Sequence, residues 1–166
     1  MWASDHWAIA QVCLNGHLIA SHLTAVPHEL ACCPRCGQPT ICQCPECSAL
    51  LKGNHYGGGA TRSPMSRPED FCEACGKPYP WTAKRLEAAR LFTSELAEAT
   101  EAEKEKLIES IDALVCDTPM KDVAIHRFQQ FIARSRGPVV EAYKTILAPL
   151  ITEAIKRQIF GNPGQR

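Results

Sequence analysis

The residues with the clearest chemistry fall into four close pairs between Cys13 and Cys75. They are Cys13 with His17, Cys33 with Cys36, Cys44 with Cys47, and Cys72 with Cys75. A thiolate or imidazole followed three or four residues later by a second ligand, on a tight turn, supplies half of a tetrahedral metal site. Four such halves make two sites. Zinc suits these soft and borderline donors, so two structural Zn(2+) ions are expected. Gly37 and Gly76 follow the second and fourth pairs, where the backbone must reach φ > 0 to turn its amides toward the sulfurs. A disulfide framework is the competing chemistry. It is disfavoured because two cysteines three positions apart bridge only with strain, and because Met1 to Ala10 holds Asp5 and His6 and no apolar run of signal-peptide length.

Two pairings of the half-sites are open. Sequential pairing joins Cys13, His17, Cys33 and Cys36 at one centre and Cys44, Cys47, Cys72 and Cys75 at the other. Crossed pairing, as in RING-type cross-braces, joins the first pair to the third and the second to the fourth. An internal repeat favours the sequential form: each half reads ligand pair, apolar stretch, loop, then a pair ending Cys-Gly-x-Pro, at 36–39 and at 75–78. Cys32 and Cys42 stand beside ligands and could replace a neighbour. Cys116 reads as a small core residue on a helix face. His22 and His28 read as exposed loop residues rather than ligands.

Around these ligands the expected fold class is α+β: two small β-hairpin zinc ribbons in tandem (residues 1–80), then a C-terminal bundle of about four α-helices (residues 81–166). Residues 8–12 and 18–23 read as strands flanking the first pair. Residues 54–70, with Gly57-Gly58-Gly59 and several Ser, Pro and Arg, read as a mobile insertion loop. Thr82 is the expected N-cap of a first helix over 83–98. Thr100 and Glu103 form a capping box opening a second helix. Asp117-Thr118-Pro119 opens a third, with Pro119 in its first turn. The fourth, from Val139 to Ile159, should kink or split at Pro149.

The 166 residues carry 18 Lys plus Arg and 18 Asp plus Glu. Residues 1–80 hold five basic against six acidic side chains, and the remainder thirteen against twelve. No global field therefore recruits nucleic acid or acidic lipid. Metal binding makes the first segment more negative, since three thiolates and an imidazole on Zn(2+) carry about −1 and four thiolates about −2. The longest uncharged apolar stretch, Thr145 to Thr152, is too short to span a bilayer. Ten cysteines with this spacing fit a reducing, cytoplasmic compartment.

Cys13-Leu14-Asn15-Gly16-His17, the Cys33-to-Ile41 segment with its Cys-x-x-Cys-Gly-x-x-Thr-Ile pattern, Cys44-Pro45-Glu46-Cys47, and Cys75-Gly76-Lys77-Pro78-Tyr79-Pro80-Trp81-Thr82 resemble an uncharacterised bacterial family of double zinc-ribbon proteins with a helical C-terminal region. The resemblance is strongest over 9–82. It implies architecture and a bacterial cytoplasmic setting, and it carries no assigned activity. The chain departs from it at Cys32, where an aromatic is usual, and in the long 54–70 stretch.

Catalysis has little support. A catalytic zinc keeps a position open, whereas eight ligands here fill two sites, and neither a His-Glu-x-x-His nor a Gly-x-Ser-x-Gly occurs. The expected function is a non-enzymatic adaptor or regulatory protein that binds another macromolecule, foremost a protein. Self-association or partner docking is assigned to the apolar stripe at Ile146, Leu147, Leu150 and Ile151. A nucleic-acid-binding protein is the alternative, using Lys52, His55, Tyr56, Arg62 and Arg67, with Tyr56 as a stacking platform. A RING-like ligase component is a further alternative and requires crossed pairing.

Overall fold

The structure, a computed structural model, describes residues 5–28, 31–57, 60–116 and 118–161. The chain divides into two compact units, Met1–Lys84 and Arg85–Arg166.

Unit one is organised by strand β1 (His6–Cys13), whose last six residues are all buried. Alternation is absent because side chains on both faces of β1 are covered. Strand β2 (Leu18–Leu23) pairs antiparallel along one edge, with Val12 opposite Leu18. The other edge is shared: β3 (Thr40–Ile41) pairs with Val12 and Cys13, and β4 (Lys52–Gly57) with His6, Trp7 and Ile9. Strand β5 (Ala60–Ser63) adds beyond β4, giving the order β2-β1-β4-β5. Gln11 is the polar member of β1's buried run. Its Nε2 donates to Thr40 Oγ1 at 2.8 Å, and Thr40 donates onward to the Ala31 carbonyl at 2.6 Å, so no hydrogen-bonding capacity is stranded there.

The β4–β5 hairpin corrects the expectation of a loop over 54–70; residues 64–70 alone lack regular structure, and Gly58 and Gly59 lie outside the described residues. The hairpin has no apolar alternation to announce it. It is held instead by the backbone edge of β1 and by ring contacts across the strand pair, His6 stacked on Tyr56 at 5.5 Å and Trp7 tilted against His55 at 4.6 Å. Gly53 lets β4 pass closely: a Cβ there would lie 2.4 Å from the Ser21 carbonyl oxygen.

The core of unit one is small: Ala10, Val12, Leu51, Tyr79 and Trp81, together with Cys44 and Cys72. Trp81 is 1% exposed, stacks on Tyr79 at 4.8 Å, and donates its indole N–H to the Glu69 carbonyl. Helix α1 (Pro80–Ser94) starts and ends earlier than the 83–98 expected. Pro80 occupies its first position, where no N–H is required. The Tyr79 carbonyl accepts from the amides of Thr82 and Ala83. Thr82 is therefore a fully buried residue inside the first turn, with its hydroxyl near Asp70 Oδ1, and not an N-cap. At the other end, the Thr93 and Ser94 hydroxyls bond back to the carbonyls of Ala89 and Leu91, a competition that ends helices.

Among its described residues, unit two holds the rest of α1 and four further helices, α2 (Glu101–Val115), α3 (Lys121–Arg134), α4 (Gly137–Leu147) and α5 (Glu153–Phe160). The Thr100–Glu103 capping box opens α2. Pro119 precedes α3 rather than sitting in its first turn, and Asp117 lies outside the described residues. The apolar run after Gly137 splits into two helices around Pro149, and Thr152 caps the second by accepting from the Ile155 amide. Tyr143 centres the core. Fully buried, it receives the edges or faces of Phe92, Phe128 and Phe131 at 5.1–6.0 Å. Its hydroxyl lies 2.7 Å from Thr93 Oγ1, whose own proton goes to Ala89, so the phenol donates. Burial pushes this phenol up to about 12. Leu147, Leu150 and Ile151 are buried in this same core, and Ile146 packs half-exposed against it. The stripe read as a docking face is thus covered by the chain's own helices. Among the described residues, no helix is long and apolar enough to cross a membrane.

Candidate metal centres

Each ligand pair sits on a hairpin turn whose hydrogen bonds can be read one by one. In three pairs the residue after the second cysteine returns its amide to the first cysteine's carbonyl: Gly37 to Cys33 at 2.8 Å, Ser48 to Cys44 at 2.9 Å, Gly76 to Cys72 at 2.7 Å. That residue is left-handed in all three, with φ of 69° at Gly37, 60° at Ser48 and 70° at Gly76. The turn closes when the first cysteine's amide reaches Gln38, Ala49 or Lys77. The pair at Cys13 is tighter by one residue. Its left-handed position is Gly16, φ 82°, and the Cys13 amide closes on His17 itself. The second ligand therefore follows the left-handed residue instead of preceding it. The longer reach of an imidazole fits this place. A Cβ on Gly16 would stand 3.0 Å from Trp81 Cβ and Cγ, so the first turn and the tryptophan lie in direct contact.

The turns bring together Cys13, His17, Cys33 and Cys36 as one group, and Cys44, Cys47, Cys72 and Cys75 as another. In the first, His17 Nδ1 lies 3.5 Å from both Cys13 Sγ and Cys33 Sγ, and Cys13 Sγ lies 3.8 Å from Cys36 Sγ. In the second, Cys44–Cys75 and Cys47–Cys72 are 3.8 and 3.7 Å apart. A tetrahedral ion with metal–sulfur bonds of about 2.3 Å and metal–nitrogen bonds of about 2.0–2.1 Å has S···S edges of about 3.8 Å and S···N edges of about 3.5 Å. The donor atoms are spaced as the corners of such a tetrahedron. They are far beyond the ~2.05 Å of a disulfide, and all ten cysteines are free. Both groups can hold a metal ion, and neither shares a ligand with the other.

The turns also tune the thiols. Burial raises Cys33, but the amides of Arg35 and Cys36 and the His17 ring outweigh it and bring the thiol down to about 6. The amides of Cys75 and Ala74 do the same for Cys72, against burial, also to about 6. N–H groups aimed at sulfur stabilise thiolates and so favour metal over proton. Tyr79, pushed up by burial, shares a hydrogen bond with Cys72. This outer contact to the second centre, the left-handed Ser48 and the Gly16–Trp81 contact were not read from the sequence. The repeated Cys-x-x-Cys-(Gly/Ser) register was the available signal for Ser48.

The remaining candidates fall elsewhere. Cys32 is exposed and outside both groups, Cys42 is 1% exposed and also outside them, and His22 and His28 are exposed. Cys116 corrects its reading as a core residue. It caps the C-terminus of α2 and is exposed, because helical spacing places it in line with the exposed Glu109 and Asp112 rather than with the buried Ile111 and Leu114. The residues considered for nucleic acid gather on β4, β5 and the segment after them, but they are engaged within the chain. Lys52 pairs with Glu73 at 2.6 Å and lies 5.0 Å from the Trp7 ring centroid. Tyr56 stacks on His6 and His55 on Trp7. Arg67 pairs with Asp70. Arg62 runs across Gly57, near the Asp5 carboxylate.

A family described as an uncharacterized protein conserved in bacteria (DUF2321) matches residues 6–159. No curated protein and no solved structure is similar enough to match.

Proposed function

The chain belongs to this bacterial family, and from that premise we propose that it is a non-enzymatic, cytoplasmic zinc-ribbon adaptor, holding two structural Zn(2+) ions and binding a protein partner. The observation that carries the reading is the closed geometry of both centres: four donors at tetrahedral spacing in each, with no coordination position left for water or substrate. Zinc is the ion of choice because its bond lengths generate these edges and because thiolate and imidazole donors suit it. Metal at these points supports a sheet module whose apolar core is too small to stand alone. A nucleic-acid role is the weaker reading, since Lys52 and Arg67 are committed to carboxylates and bound metal leaves net negative charge on the centres.

Metal analysis of the purified full-length chain, with X-ray absorption at the zinc edge, tests the metal half. Two zinc ions per chain with sulfur-dominated shells are expected, and one ion or none sinks the reading. Affinity capture from the native host, followed by reconstitution with the purified partner, tests the other half. A sub-micromolar nucleic-acid complex lost on Arg62→Ala plus Arg67→Ala would overturn it in favour of the alternative.

A further inference from the structure

The adaptor reading leaves open where a partner would sit. Unit one carries a groove of about 420 Å³ between β4 and the segment that follows β5, a size that suits side chains of a bound segment. A smaller hollow adjoins it and shares Lys52, Met65, Glu69, Phe71 and Glu73 with it. Trp7, 48% exposed, lines the groove, and Leu50, 50% exposed, lines the hollow beside it. Exposed large apolar side chains converging on a concave surface mark binding sites far more often than chance surface.

Charge specifies the occupant. The groove wall carries Glu69 and Glu73, and its two cations, Lys52 and Arg67, are already paired with carboxylates. Glu73 is paired with Lys52, while among the described residues no ion pair involves Glu69. Lys52 shows what the site accepts: its ammonium lies against the Trp7 ring and a carboxylate at once, combining cation–π and ionic attraction. Glu73 lies between the ligands Cys72 and Cys75, so a bound tetrathiolate centre adds about −2 beside the same wall. We infer that this groove takes an extended segment of a protein partner bearing an aliphatic or aromatic anchor flanked by Lys or Arg. The anchor fills the space between Trp7, Met65 and Phe71, and the flanking cation pairs with Glu69. This inference rests on the adaptor reading and gives its partner a chemistry.

The test uses the zinc-loaded full chain and three fluorescein-labelled peptides: Gly-Arg-Lys-Leu-Arg-Lys-Gly, the same peptide with Leu replaced by Gly, and Gly-Glu-Asp-Leu-Glu-Asp-Gly. The first should bind at least tenfold more tightly than the other two. Trp7→Ala and Glu69→Lys should each weaken it about tenfold, with zinc content and circular dichroism unchanged. Perturbations in nuclear magnetic resonance spectra should centre on the Trp7 indole and the Met65 methyl. Equal binding of the anchorless peptide, preference for the acidic peptide or for a single-stranded oligonucleotide, indifference to both substitutions, or a dimer that dissociates on Trp7→Ala would overturn the inference. In each of these cases a zinc content of two leaves the metal half of the adaptor reading standing. Loss of zinc from the wild-type protein would instead count against that reading itself.

Discussion

The two units solve the same problem by different means. Unit two buries sixteen residues in one cluster, almost all aliphatic or aromatic. The cluster among the described residues of unit one holds seven, and two of those are the ligands Cys44 and Cys72. One unit is held by apolar area; the other pairs a small core with two groups of donors that can hold metal ions. The comparison teaches that stability in this chain is local in kind: conditions that remove one source should spare the other.

The largest effect should come from removing metal. Apparent zinc binding in such sites is worth about 10–16 kcal/mol each, so a strong chelator should unfold unit one while helical ellipticity at 222 nm largely remains. Cooperative loss of helix together with metal would break the comparison. His17→Ala should reduce the metal content to one ion per chain, because the two groups share no ligand. If Cys44→Ala releases the same ion as His17→Ala, the centres are interlocked after all.

In unit two, Leu147→Ala opens a cavity at a fully buried site and should cost about 2–5 kcal/mol, read as a lower helical melting temperature at unchanged zinc content. Tyr143→Phe is milder, about 1–2 kcal/mol, since it removes the donor that Thr93 accepts from. It also carries a pH signature. The buried phenol titrates near 12, against 10 in the unfolded chain. Between those values the unfolded state holds fewer protons, so stability falls as pH rises through this window and is fully present below it. The phenylalanine variant should lose less stability from pH 10 to 12 than the wild type.

The smallest effects lie in the turns. Gly76→Ala places a Cβ at φ 70° and should cost about 1 kcal/mol. Ser48→Gly, at φ 60°, should be neutral or stabilising by up to about 1 kcal/mol, because it relieves a left-handed strain. A larger loss at position 48 would show that the serine hydroxyl matters in its own right.

The sequence was informative where chemistry constrains spacing. Ligand pairs, the glycines after them and the Thr100–Glu103 box are local patterns that the backbone must satisfy within a few residues. It was least informative where a neighbour decides. The β4–β5 hairpin exists because β1 offers an edge, a fact invisible in the string Lys52 to Ser63. Leu147, Leu150 and Ile151 looked like surplus apolar surface because the cluster that buries them is assembled from several separate helices. Cys116 follows Ile111 by five residues and Leu114 by two, so it falls in register with the exposed Glu109 and Asp112 rather than with the apolar stripe.

Strand β1, paired on both edges, has a further meaning for how the protein is made. It emerges from the ribosome before every strand that covers it, and its second edge is complete only when Gly57 has followed. At about 5–20 residues per second, that edge is open on the order of seconds, and an open strand edge is a template for aggregation. The first centre's ligands are complete earlier, at Cys36, and closing it fixes the turns that flank β1 and β3 before the covering hairpin exists. If the first centre takes up its ion at that stage, the yield of folded protein should depend on the metal supplied to the nascent chain, well before the helices of unit two have been translated.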